Sequence, residues 1–162
     1  MNEKNVRVAS EQTIRDHFVD EHRTFEVLFA ELLQALSSVE QVRVAALWSA
    51  FESGVCSHLE AEESFLIPPL LAERPREAGA LLAEHRHIRT RLGALTKALE
   101  SRSFGEGSVR GFIDELRAHV RHEEAVLYIW ADERLAQADR EALWEKLADS
   151  RRERARGTQP SR

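Results

Sequence analysis

Two stretches of the chain, HLEAEESFL at 58–66 and HVRHEEAVL at 119–127, set a histidine four residues ahead of a glutamate in a run that otherwise reads as the buried face of a helix. At that spacing the two side chains stack on one face, one turn apart. A carboxylate buried without a partner costs several kcal/mol or is forced to stay protonated. A chain that buries such a pair twice needs something in its interior to balance the charge.

The elements that must position these pairs are legible from apolar spacing. Hydrophobic residues recur at steps of three and four with no sustained strand-like alternation, so the fold class is all-α. At 162 residues, 43% hydrophobic and 31% charged with only 7 Gly and 4 Pro, the chain has the composition of one globular domain rich in long helices. The first helix is expected from Ser10, as N-cap, to near Ser37, and the second from Val39 to near Ile67, where Pro68 and Pro69 must disturb it. Pro75 opens the third, which runs to about Ser101; after the loop RSFGEG the fourth runs from Ser108 to near Leu135. A shorter helix, ADREALWEKLADS, presents Leu143, Trp144 and Leu147 as its apolar side and reads as a strap. Short links make successive helices antiparallel neighbours, so the expected architecture is an up-down-up-down antiparallel four-helix bundle with a short C-terminal helix. The domain spans 10–150, and 151–162, containing RRERAR, is a basic tail expected to be frayed and solvated.

Written out by residue, the core stripes expose an internal duplication. Phe18, His22, Phe25, Phe29, Leu32 and Leu36 recur at one constant offset as Leu81, His85, Ile88, Leu92, Leu95 and Leu99. Trp48, Phe51, Val55, His58, Glu62 and Leu66 recur in the same way, again at a single offset, as Val109, Phe112, Leu116, His119, Glu123 and Leu127. His22 precedes the turn at Ser38 by nearly as much chain as separates that turn from His58, so the two stand at similar heights; His85 and His119 do the same around the next loop. The candidate site is therefore His22, His58, Glu62, His85, His119 and Glu123, converging on one interior zone.

A bound cation relieves the cost of placing them there. Imidazole with carboxylate suits iron, manganese or zinc, and six ligands are too many for one tetrahedral zinc with an open position, so two metals are the better count. The competing reading is that each histidine is a satisfied core residue, hydrogen-bonded to a glutamate with no metal. His17, His87 and His122 do not repeat and are expected at the surface or behind the site. Glu21, Glu63, Glu84 and Glu124 do repeat: they either orient the imidazoles from outside or form a solvated face. Tyr128 and Cys56 neighbour the stripes; packing is their expected role, with a redox role for either as the alternative.

One His on the first helix, HxxxE on the second, one His on the third and HxxxE on the fourth, each pair running on into EExxL (EESFL, EEAVL), resembles the hemerythrin-like (HHE cation-binding) family over about residues 10–130. The resemblance implies a non-heme centre of two iron ions joined by an oxo or hydroxo bridge, with those six residues as ligands. Ferritin-like di-iron bundles differ in carrying Glu-x-x-His pairs, and neither half has one on its stripe. Oxygen-carrying hemerythrins have a fifth histidine from an HxxxH pair on the third helix. Here Arg89 follows His85 by four residues, which leaves one iron with fewer nitrogen ligands and more open coordination.

Function follows as an expectation: binding of, or reaction with, a small ligand (O2, NO or peroxide) in stress response or iron homeostasis. The alternatives are a non-catalytic, metal-dependent sensor or iron-binding module and, third, a heme protein using two facing histidines. No general acid or base is marked, so no catalytic residue is assigned. A net charge of -5 argues against a nucleic-acid partner, and the longest apolar run, FLIPPLLA, is too short for a membrane. Cys56 alone forms no internal disulfide, and the polar start MNEKNVRVASEQ lacks a signal peptide's apolar core; the cytoplasm is the expected compartment.

Overall fold

The computed structural model describes residues 12–157, with side chains to residue 152. The chain is all-helical, with no strand among the described residues: α1 (Ile14–Ser37), α2 (Gln41–Phe65), α3 (Ile67–Glu73), α4 (Pro75–Glu100), α5 (Glu106–Ala125), α6 (Leu127–Arg134) and α7 (Gln137–Gly157). No helix among them is long and apolar enough to cross a membrane. Helix α1 packs on α2 and α5, and α4 packs on the same two, so these four form a closed ring of neighbours.

Helix α1 starts later than its sequence suggested. Thr13 is the N-cap: its hydroxyl accepts from the Asp16 N–H at 2.9 Å, and the Asp16 carboxylate accepts from the Thr13 N–H at 3.4 Å. Ser10, expected in that role, lies outside the described residues. Two further N–H groups of the first turn, those of Ile14 and Arg15, donate to Asp132 of α6 at 2.9 and 3.4 Å.

The expected break near Ile67 is present, with Pro68 and Pro69 in the first turn of α3, where a missing N–H costs least. Pro75 opens α4 as expected. The uninterrupted run from Ser108 to Leu135 is corrected: α5 begins at Glu106 behind Gly105, and the helix breaks at Val126 (φ -121°, ψ -59°) without any proline. The Val126 N–H is shared between the carbonyls of His122 and Glu123, a tightened last turn that changes the phase of α6 relative to α5. The break therefore belongs to both halves of the duplication, and the prolines only reinforce it in the first.

Helix α7 outruns the expected strap. Leu143 and Leu147 are buried, Trp144 is half-buried, and the helix lies along α2. Its backbone is helical through Gly157; residues 158–162 lie outside the described residues.

The apolar core comes in two clusters, and the polar zone falls between them. Phe25, Val55, Ile88 and Leu116 belong to one cluster, Phe18, Leu66, Leu81 and Leu127 to the other. On each of the four stripes the candidate residues occupy the gap between those two memberships.

Candidate metal centre

All six sequence-predicted residues are buried, and Glu62, His85 and Glu123 are entirely so. The structure brings them together. His85 Nε2 lies 3.2 Å from Glu123 Oε1 and 3.5 Å from Glu62 Oε2, and His119 Nε2 also meets Glu123 Oε1. On the other side His22 Nε2 lies 3.3 Å from Glu123 Oε2 and His58 Nε2 lies 3.5 Å from Glu62 Oε1. Two groupings can hold a metal ion: Glu62, His85, His119 and Glu123, and His22, His58 and Glu123. Glu123 is common to both.

The outward ring nitrogens explain why every Nε2 points inward. Glu21 accepts from His58 Nδ1 at 2.8 Å, Glu63 from His85 Nδ1 at 2.9 Å, Glu84 from His119 Nδ1 at 2.7 Å and Glu124 from His22 Nδ1 at 3.2 Å. These are the four glutamates whose role the sequence left open. They make a closed relay: α1 supports α2, α2 supports α4, α4 supports α5 and α5 supports α1. An imidazole that donates from Nδ1 keeps its Nε2 lone pair free for a metal, and the carboxylate raises its basicity.

Without a cation the interior is badly matched. The Nε2 atoms of His22 and His58 face each other at 3.2 Å, so the two can bond only where one of them carries a proton. Glu62 Oε2 is buried with no hydrogen bond among the described residues, and the inward Nε2 of His119 has only its close ion-pair contact with Glu123 Oε1. Burial, then the neighbouring Glu123 carboxylate, pushes Glu62 well above the ordinary carboxylate range. Against the burial that would raise it, hydrogen bonds from His119, His22, His58 and His85 hold Glu123 well below that range. Against the burial that would lower it, Glu62, Glu123 and Glu21 hold His58 well above its ordinary value; His119 is raised in the same way by Glu123 and Glu84. Nitrogen and oxygen donors aimed at common points, with Glu62 Oε2 left without a hydrogen bond, fit a bound metal. The six residues form connected clusters that share Glu123 rather than two isolated His–Glu pairs.

The remaining histidines sort as their spacing suggested, with one refinement. His87 is exposed and paired with Glu115, and His122 reaches Glu84 Oε1 at 2.9 Å behind His119. His17 is buried rather than on the surface: it packs edge-on to Trp144 and lies 3.6 Å from Glu21, behind His58. Cys56 is half-buried packing, with its thiol pushed up by burial. Tyr128 departs from its reading as packing. Its hydroxyl lies among the candidate ligands, 2.5 Å from Glu62 Oε1, 3.1 Å from Glu123 Oε2, and 3.3 and 3.4 Å from the Nε2 atoms of His22 and His58. Five positions after Glu123, a straight helix would turn it about 140° off the stripe. The break at Val126 brings it back, and no feature of the sequence announced that break.

An all-helical chain with imidazoles and carboxylates converging on sites that can take a cation defines a helical metal-binding protein. The hemerythrin HHE cation binding domain matches residues 13–131, and the chain belongs to that family. No curated protein and no solved structure matches it.

Proposed function

We propose that α1, α2 with α3, α4, and α5 with α6 form an up-down-up-down antiparallel four-helix bundle holding two iron ions, and that this centre binds or reacts with O2, NO or peroxide in stress response or iron homeostasis. His85, His119, Glu62 and Glu123 would hold one ion and His22, His58 and Glu123 the other; manganese or zinc suits the same donors. Iron supplies the capacity to exchange electrons with a small ligand. The residues aim lone pairs, balance charge and exclude water.

The observation that carries this reading is the closed relay of four Nδ1–carboxylate hydrogen bonds, which fixes the tautomer and aim of all four imidazoles at once. Access suits a small guest. A cleft between α1 and α5 is lined by Val19, His22, Phe25, Leu116, Val120 and Glu124, and an inner cavity shares its His22, Phe25, Leu116 and Val120.

The test is metal content and spectrum. Protein purified from its own host should carry about two irons per chain, with near-ultraviolet absorption from the diferric centre that disappears in Glu62→Ala and His119→Ala. Reduced protein exposed to NO, O2 or peroxide should show saturable spectral change. A folded chain that refuses iron would defeat the proposal.

The relay ties four helices through the site, which also favours a second reading as a non-catalytic sensor or iron-binding module. That reading expects a large fall in Tm on chelation and no turnover of any of the three ligands.

A further inference from the structure

We propose that Tyr128 is a seventh protein ligand, its phenolate oxygen coordinating the ion held by His22 and His58. This rests on the metal-binding reading above.

The two groupings are unequal. One groups four donors, Glu62, His85, His119 and Glu123, while the other groups three, His22, His58 and Glu123, with Glu62 Oε1 3.5 Å from His58 Nε2 at its edge. The Tyr128 oxygen completes the poorer one. It stands 3.3 Å from His22 Nε2, 3.4 Å from His58 Nε2 and 3.1 Å from Glu123 Oε2. Those three atoms stand 3.2, 3.3 and 3.9 Å from one another. Donors about 2.0–2.2 Å from a common ion stand about 3.3–3.6 Å apart when arranged tetrahedrally. Five of the six edges of this four-atom set lie at 3.1–3.4 Å, close to that spacing, and the phenol, which donates to Glu62 Oε1 at 2.5 Å, also stands almost equally near two imidazole nitrogens.

Two further features single out the residue. It breaks the duplication: the matching position in the first half is Ile67, buried and apolar, so only one of the two groupings gains an oxygen donor. It is also held in place, fully buried and stacked on Phe18 with ring centroids 5.2 Å apart and planes 9° from parallel. In the ligation step the O–H bond breaks as the O–metal bond forms, and the proton is released to solvent.

Tyr128 is the only tyrosine of the chain, so any tyrosinate signal belongs to it. The probe is ferrous iron added to metal-free full-length protein and oxidised in air. The expected result is a visible phenolate-to-iron charge-transfer band, and resonance Raman excitation within it should enhance ring modes that shift when the protein is grown on ring-deuterated tyrosine. Tyr128→Phe should lose the visible band while keeping iron and the near-ultraviolet absorption. Should that variant fail to fold, the isotope shift in the wild-type chain decides alone. Two bound irons with no visible band, or a band whose modes ignore the label, would overturn the phenolate ligand and leave the di-iron reading standing; a chain that takes up no iron would remove both.

Discussion

Arg89 does not turn into the cavity; its guanidinium donates to Glu63 Oε1, the same atom that accepts from the Nδ1 of His85. The residue at the place of an oxygen carrier's fifth histidine is thus tied to the support of an inner imidazole. Arg89 and His85 together hold Glu63 below the ordinary carboxylate range against its partial burial, so it stays a charged acceptor. Glu63→Ala is expected to lower metal affinity by about 10–100-fold with little change in helix content. Glu115→Ala, which removes a like bond to the exposed His87, should leave affinity unchanged. Competition with a chromophoric chelator measures both, and equal affinity in the two variants would deny Glu63 its orienting role.

Asp132 fastens the start of α1 to α6 through the N–H groups of Ile14 and Arg15. These are donors that a helix cannot satisfy internally, and the carboxylate also faces the positive end of the helix dipole. Asp132→Ala should cost about 1–2 kcal/mol, or roughly 2–4 °C in Tm per kcal/mol for a chain of this length. Thermal unfolding of the metal-free protein checks it, since bound metal would mask a loss of this size.

Much of this architecture was written in the spacing of apolar residues. The stripes of the two halves predicted the burial of the six candidate residues, because a helix of fixed pitch converts sequence separation into height and face. Pro75 marked its helix start for an equally local reason. What escaped was set by tertiary packing. Val126 carries no helix breaker, so neither the break nor the inward turn of Tyr128 could be read from it. The extra length of α7 was not legible either, since a segment so rich in charge gives no apolar stripe of its own beyond Leu147. The outer glutamates were visible as a repeat, but whether they faced imidazole or water depended on the rotation of neighbouring helices.

Val39 and Arg102, at matching positions of the two halves, close their turns in the left-handed region, with φ of 59° and 58°. In both, the following N–H reaches back to a helix carbonyl: Glu40 to Ala35 at 3.0 Å and Ser103 to Ala98 at 2.8 Å. A β-branched residue is strained there, by about 1–2 kcal/mol, and Val39 is exposed, so little packing offsets it. Asparagine tolerates this conformation without the backbone entropy cost of glycine. Val39→Asn is expected to raise stability by about 1 kcal/mol, read as a higher urea midpoint at unchanged m-value. A lower midpoint would mean that the valine side chain contributes more than its conformation costs.

The electrostatics of the site imply opposite pH responses with and without metal. In the metal-free chain His58, His119 and Glu62 all bind their protons more tightly folded than unfolded. For groups raised in this way the folded state holds more protons than the unfolded one. For the histidines that contribution is complete below about pH 6.5, the ordinary imidazole value, and is lost as pH rises through the folded values. Metal-free protein should therefore lose stability between about pH 6 and 8. A bound cation reverses the sign, because each ligand must give up its proton, and below about pH 6.5 it is then the unfolded chain that holds the extra protons. Loaded protein should gain stability across about pH 5–7 and shed its metal toward the acid end. Tm against pH, measured on chelated and loaded samples at one ionic strength, should give curves of opposite slope near neutrality. Parallel curves would show that the cation does not displace protons from His58, His119 and Glu62, and that it binds elsewhere.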